Sequence, residues 1–343
     1  DLCTSIGATF MTREDGKQIK EVELGHFGQC KSISVSKLWT TIVGGKGNHE
    51  AIDKQISVPA NGKIVIENQR GEVVIKSWDK SEFKVTGTLD DIAKGYKLEN
   101  NGSVTEFIVE MPKRYKGWNK GDGSDLTIYM PKSSELSFEG INVNISASEL
   151  LAGARIKTVN GDIKATQLGG KVSLETVNGD VDARALSGDL RFETVNGDIN
   201  DVNSKGELRF NAVNGDIESD TEATDIRLEN VNGEVDFKVA SLRDLRLNTV
   251  NGEIKVQIKE LQQNARINMD TVSGDVRLYF PSDVSARFDI DAHSGGRIIN
   301  ELSNDKVKKA KYGPSRELEF ILNGGDADVE IDTVSGRIEL KKN

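Results

Sequence analysis

Seven acidic residues recur along the middle of the chain, each directly after a glycine. They are Asp162, Asp180, Asp198, Asp216, Glu234, Glu253 and Asp275. Stacked in register, neighbouring carboxylates repel by about 1 kcal/mol even in water, so something must offset them. One hypothesis is a row of hard cations such as Ca²⁺, held by the column that begins Asp162, Asp180, Asp198 and Asp216. The other is that a carboxylate next to glycine caps backbone N–H groups in each turn and fans into solvent.

The second half of the repeat favours capping over cation binding. Calcium-binding nonapeptide solenoids use a Gly-Gly-x-Gly-x-Asp phrase in both half-turns, whereas the intervening half here reads Leu168-Gly169-Gly170-Lys171. We therefore predict no metal and no other cofactor. The asparagine before each glycine also has a structural interpretation, because Asn tolerates the left-handed conformation and stacked amides hydrogen-bond from coil to coil. This column contains Asn160, Asn178, Asn196, Asn214, Asn232 and Asn251.

No catalytic residue is predicted. The three histidines, His26, His49 and His293, are scattered, and no nucleophile elbow, phosphate loop or metal-ligand spacing is present. The many carboxylates repeat as columns, which turn chemistry predicts and a singular active site does not. Parallel β-helix lyases and hydrolases of polysaccharides are the catalytic class that this composition leaves open.

The cysteines and the charge indicate where the protein acts. Cys3 and Cys30 are the only two cysteines, and without clustered histidines they favour a disulfide over a metal site. A disulfide predicts an oxidising, extracytoplasmic compartment: periplasm, cell surface or exterior. The chain begins at Asp1 without a methionine, which is typical of a mature or trimmed product. With a net charge of −10 and one short basic cluster, Lys113–Lys116 with Lys120, nucleic acid is excluded as a partner.

Glycines spaced nine residues apart reveal the elements that position these residues. They are Gly161, Gly170, Gly179, Gly188, Gly197, Gly206 and Gly215, and alternate members belong to a Thr-Val-Asn-Gly-Asp phrase. The true period is therefore 18 residues, made of two unlike halves. A short period marks stacked supersecondary units that cannot bury their apolar face alone.

Positions 18 residues apart are chemically alike and predict four apolar columns inside a cylinder. The first contains Ile163, Val181, Ile199, Ile217 and Val235; the second Val172, Leu190, Leu208 and Ile226; the third Leu174, Phe192, Phe210 and Leu228; the fourth Val159, Val177, Val195, Val213 and Val231. An antiparallel meander is the competing architecture, because Asn-Gly is a strong hairpin signal. In a meander, residues 18 apart would lie two strands away from each other, with no reason to match. The fold prediction is all-β: a parallel β-helix or β-solenoid with coils of about 18 residues.

The organisation along the chain follows the same periodicity. Residues 1–50 are non-repetitive and are predicted to form a cap or accessory segment, and residues 51–343 the solenoid. Within the solenoid, 51–150 form irregular coils, 151–260 regular coils, and 261–343 wider coils ending in a terminal rung at 326–338. A projecting loop is expected at 112–124, and a charged break at 301–312. No stretch approaches the roughly 20 apolar residues of a transmembrane helix.

These motifs carry a family resemblance. Ile56-Ser57-Val58-Pro59, the tandem Thr-Val-Asn-Gly-Asp phrases, Leu278-Tyr279-Phe280-Pro281 and the closing Asp332-Thr333-Val334-Ser335-Gly336 together resemble the bacterial "putative adhesin" family of unknown function. The resemblance covers residues 52–343 and implies an exported or membrane-associated β-solenoid with no assigned catalytic residues. Its motifs are repeat signatures, and it carries nothing over to Cys3 or Cys30.

Three classes of function remain open at this point. The first is a non-catalytic extracytoplasmic scaffold of adhesin type that binds a protein or polysaccharide at the cell surface. The second is a self-assembling oligomer or filament subunit, in which residues 1–50 dock on a neighbouring copy. The third is a glycan-active enzyme. Ligand identity does not follow from the repeat.

Overall fold

The computed structural model describes residues 32–35, 40–43, 50–112 and 122–343, and its regular elements are all β-strands. In chain order they are β1 (Ser32–Val35), β2 (Thr40–Val43), β3 (Ala51–Ser57), β4 (Lys63–Trp78), β5 (Glu82–Thr88), β6 (Gly95–Asn100), β7 (Val104–Glu110), β8 (Ser124–Pro131), β9 (Glu135–Ser148), β10 (Ala154–Lys157), β11 (Ile163–Thr166), β12 (Gly169–Glu175), β13 (Val181–Arg184), β14 (Ser187–Asn196), β15 (Ile199–Val202), β16 (Lys205–Asn214), β17 (Ile217–Thr221), β18 (Asp225–Asn232), β19 (Val235–Val239), β20 (Leu242–Asn251), β21 (Ile254–Ile258), β22 (Leu261–Ser273), β23 (Val276–Phe280), β24 (Ala286–Ala292), β25 (Arg297–Asn300), β26 (Lys308–Lys309), β27 (Arg316–Leu322), β28 (Ala327–Ser335) and β29 (Arg337–Lys342).

Successive strands alternate between two sheets that enclose the core. The first sheet has the order β6-β7-β4-β9-β10-β12-β14-β16-β18-β20-β22-β28-β24-β27-β26. The second has the order β3-β5-β8-β4-β9-β11-β13-β15-β17-β19-β21-β23-β29-β25. The long strands β4 and β9 bend and belong to both sheets. The assembly is an open β-solenoid, as the column pattern predicted.

Parallel pairing in register decides between solenoid and meander. Leu190 lies opposite Leu208, and Phe192 opposite Phe210, each on parallel strands of neighbouring coils. Asn178 and Asn160, which are 18 positions apart, face each other across the corner in the same way. Residues that match in the sequence are therefore in direct contact, which confirms the solenoid and excludes the meander.

Three of the four predicted apolar columns are buried, and the fourth prediction was wrong. The columns of Ile163, Val172 and Leu174 are at most 1% exposed, whereas the column of Val159 points outward and is 37–39% exposed from Val159 to Val231. Side chains alternate along a strand, so after the inward Leu174 comes the outward Glu175, the inward Thr176 and the outward Val177. The threonine therefore takes the inner position that was assigned to the valine.

The glycine comb reflects close stacking of one coil on the next. A Cβ on Gly197 would overlap the carbonyl oxygen of Gly179, and one on Gly188 would overlap that of Gly170. The expectation of a left-handed asparagine before each glycine was wrong, because the corner asparagines have no positive φ. Left-handed residues lie instead at the opposite corner, at Gln167, Ala185 and Asn203, with φ of 54°, 54° and 59°.

Antiparallel strands end both sheets at the N-terminal end of the solenoid and the first sheet at the C-terminal end, where the second sheet ends on the parallel strand β25. At the N-terminal end, the outermost described strands are β3 and β6, both antiparallel to their neighbours. At the C-terminal end the chain does not finish on a terminal rung. The coil of β28 and β29 lies between two coils that precede it in the sequence: β22 and β23 on one side, β24 and β25 on the other. In the first sheet, β27 and then β26 pair with the outer edge of β24. Two antiparallel strands leave a shorter exposed edge than an open parallel coil, which opposes end-to-end pairing.

Several predicted features lie partly or wholly outside the described residues. These are Cys3, Cys30, the cluster of Lys113–Lys116 with Lys120, and most of the 112–124 loop. The disulfide, the division at residue 50 and the cap formed by residues 1–50 stay predictions. Within residues 32–43, β1 and β2 form an antiparallel pair. The charged break at 301–312 contains the short strand β26.

Candidate functional site

The acidic column after the corner glycines is engaged by the backbone. The Asp162 carboxylate accepts the Asp180 N–H at 3.0 Å, and the Asp180 carboxylate accepts the Asp198 N–H at 2.9 Å. In the same way, the Asp198 carboxylate accepts the Asp216 N–H, and the Asp216 carboxylate accepts the Glu234 N–H. This geometry is that of the capping hypothesis. Among the described residues, no group of three or more His, Cys, Asp or Glu side chains is arranged to hold a metal ion.

The asparagine column forms a continuous amide ladder along the corner. The Asn160 side-chain N–H donates to the Asn142 side-chain oxygen at 2.7 Å, and Asn178 and Asn196 repeat the bond at 2.7 and 2.9 Å. The ladder continues through Asn214, Asn232 and Asn251. Each amide thus uses both a donor and an acceptor within the solenoid, as the coil-to-coil interpretation predicted.

Beside this corner runs a groove that the sequence columns did not predict as a site. It follows the solenoid axis across eight coils and encloses about 1010 Å³. Its floor is the threonine column: Thr158, Thr176, Thr194, Ala212, Asn230, Thr249, Thr271 and Thr333. One wall is the exposed valine column from Val177 onward, continued by Val250, Val272 and Val334 and ending at His293. The other wall is Lys157, Glu175, Glu193, Asn211, Glu229, Asn248, Asp270 and Asp332. The signal was present in the Thr-Val pair, but the valine was assigned to the core.

In the regular coils the polar groups of the groove are satisfied by the protein itself. The Thr176 hydroxyl donates to the Gly161 carbonyl at 3.1 Å, and the Thr194 hydroxyl to the Gly179 carbonyl at 3.2 Å. The Glu175 carboxylate pairs with Arg155 and Lys157 at 3.3 and 3.4 Å. Glu193 pairs with Arg191 on its own strand. These groove side chains already have hydrogen-bond or ion-pair partners within the protein.

At the C-terminal end of the groove the same positions are left without partners. The hydroxyls of Thr249, Thr271 and Thr333 and the side-chain oxygen of Asn230 are buried and have no hydrogen-bond partner. The threonines are only 5%, 5% and 1% exposed. Buried polar atoms of this kind cost about 1–3 kcal/mol each, so in a native protein each one calls for an explanation.

Carboxylates are concentrated at the same end. Asp270, Asp332 and Asp291 lie directly opposite one another on three adjacent strands, and we call them the carboxylate ladder. Desolvation, and then the charge of Asp332, raise the pKa of both Asp270 and Asp291 above its usual range. Within the described chain, the only basic side chain within ion-pair distance of the ladder is His293, whose Nε2 lies 3.3 Å from Asp332 Oδ1. His293 takes the valine position of the outermost coil.

A second unusual acid is buried in the regular coils. Asp201 is fully buried in a column that otherwise contains Ala165 and Ala183, and its carboxylate accepts the hydroxyls of Ser204 and Ser219. Desolvation raises the pKa of Asp201 to about 6. It lies in the core, away from the groove. None of the described residues form a helix that is long and apolar enough to cross a membrane.

A protein-family model described as Toastrack DUF4097 matches residues 61–341. Among curated proteins, a stretch of 64 residues is 36% identical to the chaperonin GroEL of Mycoplasma pneumoniae. That stretch is 19% of this chain and only 12% of the chaperonin, so it transfers neither fold nor activity.

Three solved structures are similar over most of the chain. A "putative cell adhesion protein" from Clostridium sporogenes is 12% identical, with a TM-score of 0.22, over 86% of this chain and 100% of that one. A "putative adhesin" from Bacteroides fragilis is 12% identical, with a TM-score of 0.32, over 85% and 97%. A "putative lipid binding protein" from Parabacteroides distasonis is 14% identical, with a TM-score of 0.33, over 87% and 98%. TM-scores this low carry no argument about function.

Proposed function

The chain belongs to the Toastrack DUF4097 family, and from that premise we propose that it is a non-catalytic binding module that acts outside the cytoplasm. Its groove holds an extended partner along the solenoid axis. The observation that carries this proposal is the combination of an exposed valine wall with buried, unpartnered polar atoms on the same floor. Apolar surface beside a few unsatisfied polar groups is typical of a ligand site.

The repetition of the groove supports binding over catalysis. A catalytic centre needs one constellation of nucleophile, base and stabilising donors. Here floor and walls supply one similar set of side chains per coil, over eight coils. With coils about 4.8 Å apart, seven steps give a length of about 34 Å, which suits a linear chain better than a compact small molecule. The location outside the cytoplasm is part of the proposal, and a disulfide between Cys3 and Cys30, which stays a prediction, would require such an oxidising compartment.

The experiment that tests this function fills the groove without changing its charge. Val195→Trp with Val213→Trp places two indoles on the wall at positions that are 38% and 39% exposed, so folding should be retained. Leu151→Trp is the matched control, since Leu151 is 59% exposed and lies outside the groove. Wild type and variants are measured by biolayer interferometry against immobilised glycan oligosaccharides and extended peptides of both charges.

We expect at least one class of polymer to bind wild type and Leu151→Trp equally, and the double variant at least tenfold more weakly. Equal binding to all three proteins, or to none, would reject the groove as the site. Shortening of a glycan during incubation would favour the glycan-active enzyme. A concentration-dependent rise in mass without added polymer, measured by light scattering, would favour the self-assembling subunit.

A further inference from the structure

We infer that the occupant of the groove is an extended polypeptide in which basic and apolar side chains alternate, with its basic residues concentrated at the carboxylate ladder. This inference rests on the proposed binding function of the groove and names the chemistry of its partner. Three independent features of the described residues carry it: the charge of one wall, the unpartnered atoms of the floor, and the apolar opposite wall.

The charge of the polar wall is uncompensated only at the C-terminal end. Glu175 and Glu193 are each held by an arginine or lysine of the first sheet. Glu229, Asp270 and Asp291 have no ion pair with any described residue, and Asp332 has only His293. On the outer side Asp291 lies opposite Glu317, whose carboxylate is itself paired with Lys308 at 3.6 Å. Like charges directly opposite each other on neighbouring strands destabilise a sheet, and a bound cationic group would relieve that repulsion.

The floor at this end presents atoms that can accept hydrogen bonds. The side-chain oxygen of Asn230 accepts only, and the hydroxyls of Thr249, Thr271 and Thr333 can accept as well as donate. All four side chains are at least nine-tenths buried and line the groove. The oxygen atoms themselves are buried, and rotation about the Cα–Cβ bond of each threonine would turn its hydroxyl into the groove, where it adds an acceptor to those of the carboxylates. The complementary ligand is rich in donors: ammonium or guanidinium groups and backbone N–H groups.

The opposite wall sets the second requirement on the ligand. Valines 37–47% exposed run along the whole groove, facing the polar wall across the floor. An extended peptide lying in the groove points successive side chains to opposite sides. Alternating basic and apolar residues would therefore place every charge on the acidic wall and every apolar side chain on the valines. A groove of about 34 Å takes about ten residues in extended form.

The composition of the lining favours a polypeptide over a glycan. None of the residues that line the groove is a phenylalanine, tyrosine or tryptophan, so it lacks the large flat apolar faces on which the apolar side of a sugar ring packs. A polyamine has the charge but no side chains for the valine wall. A basic, alternating polypeptide satisfies both walls and the floor at once.

The test uses fluorescein-labelled decapeptides and fluorescence anisotropy on the full chain. The first probe alternates Lys and Val, the second Glu and Val, and the third Ser and Val. The protein variants are Asp270→Asn with Asp332→Asn, and Thr271→Val with Thr333→Val. The matched control, Asp182→Asn with Glu218→Gln, removes the same number of charges from the second sheet. Circular dichroism checks that each variant is folded.

We expect the Lys-Val peptide to bind wild type and the control within twofold of each other, more weakly as salt is raised. The Asp270/Asp332 variant should bind it at least tenfold more weakly, and the Thr271/Thr333 variant severalfold more weakly. The Glu-Val peptide should not bind. Equal affinity of the Lys-Val peptide for the Asp270/Asp332 variant and the control would overturn the inference.

Two results separate failure of this inference from failure of the proposed function. If the Ser-Val peptide or a neutral glycan binds as well as the Lys-Val peptide and is lost in Val195→Trp with Val213→Trp, the groove is a binding site but its partner is not basic. If no probe and no polymer of the panel is sensitive to the filled groove, both the partner and the binding function are rejected.

Discussion

The regular coils between Gly161 and Gly215 and the C-terminal end from Glu229 onward place similar residue types at the same positions and use them differently. In the regular coils the groove threonines bond to glycine carbonyls and the acidic wall pairs with arginine or lysine. At the C-terminal end the threonine hydroxyls have no partner and three aspartates stack on one another. Coils whose polar groups bond to one another stabilise the fold. In the C-terminal coils the corresponding groups have no partner in the fold and are available to a ligand.

The change coincides with loss of the strict period. Stacked side chains are 18 positions apart through Asn232, 19 at Asn251 and 22 at Ser273, and Arg337 bonds to Asp275 over 62 positions. The coil inserted at β28 brings together strands that are distant in sequence. Asp270 and Asp332 each begin an Asp-Thr-Val-Ser-Gly phrase, and Asp291 begins its variant Asp-Ala-His-Ser-Gly, so stacking these three coils in register makes the aspartates adjacent.

The largest contrast between the two regions should come from glycine substitution. In Gly197→Ala the new Cβ overlaps the Gly179 carbonyl, and we expect a loss of at least about 3 kcal/mol in the free energy of unfolding. Gly296→Ala in the outermost coil meets the Gly336 carbonyl and the Ala292 Cβ at 2.9 Å, so the loss should be about 1 kcal/mol. Urea denaturation measures both. Equal losses would mean that the end coil stacks as tightly as the regular ones.

The next effect comes from Asp201, the exception within the regular coils. Its pKa is about 6 in the folded protein against 3.8 for an ordinary aspartate, so the folded state binds the Asp201 proton more tightly than the unfolded state does. The stabilisation is therefore complete below about pH 4 and is lost as pH rises through 6, by about 3 kcal/mol in total.

The wild-type free energy of unfolding should fall between pH 5 and pH 7 because of Asp201, and in Asp201→Asn this part of the fall should be absent. The exposed Glu218→Gln in the next coil should keep it. The pH 5 to pH 7 difference is measured by urea unfolding at each pH. An Asp201→Asn protein with the same pH dependence as wild type would show that other groups titrate with unfolding.

The amide ladder should contribute less per residue. Asn196 donates to Asn178 at 2.9 Å and accepts from Asn214 at 3.1 Å, so Asn196→Ala breaks two exposed hydrogen bonds. We expect a loss of about 1 kcal/mol, against less than about 0.5 kcal/mol for Ser335→Ala, whose hydroxyl makes one bond to Val272 at 3.3 Å. Thermal unfolding of the two proteins would rank them, and the reverse order would contradict the role given to the ladder.

The smallest effect concerns the left-handed corner. Ala185 has φ of 54°, which is unfavourable for alanine, whereas the C-terminal coils carry Asn264 and Asn323 at φ of 59° and 47°. Ala185→Asn should raise the free energy of unfolding by about 0.5 kcal/mol, and Asn264→Ala should lower it by a similar amount. A stabilising Asn264→Ala would show that φ does not govern these positions.

Much of the fold followed from the 18-residue period, because residues in direct contact along a column must match. The three buried columns, the amide ladder and the capping carboxylates belong to that pattern. Val195 was misplaced because its hydrophobicity suggested burial, although the alternation from Phe192 puts Thr194 inside. The insertion of β28 had no periodic signal, because it depends on the order in which distant coils stack. Without that order, the matching positions of Asp270, Asp291 and Asp332 in their phrases did not place the three side by side.

The most direct measurement compares the same substitution, Thr→Val, in the regular coils and at the C-terminal end of the groove. Thr176→Val with Thr194→Val removes hydroxyls that bond to the fold, and Thr271→Val with Thr333→Val removes hydroxyls that have no partner in it. Unfolding free energy and affinity for the Lys-Val decapeptide are measured for both. We predict that the first pair loses about 2 kcal/mol of stability and keeps its affinity, while the second gains about 2 kcal/mol, because two buried unpartnered hydroxyls are removed, and loses affinity severalfold. If the second pair lost stability and kept affinity, the C-terminal end of the groove would serve the fold, contrary to the function proposed for it.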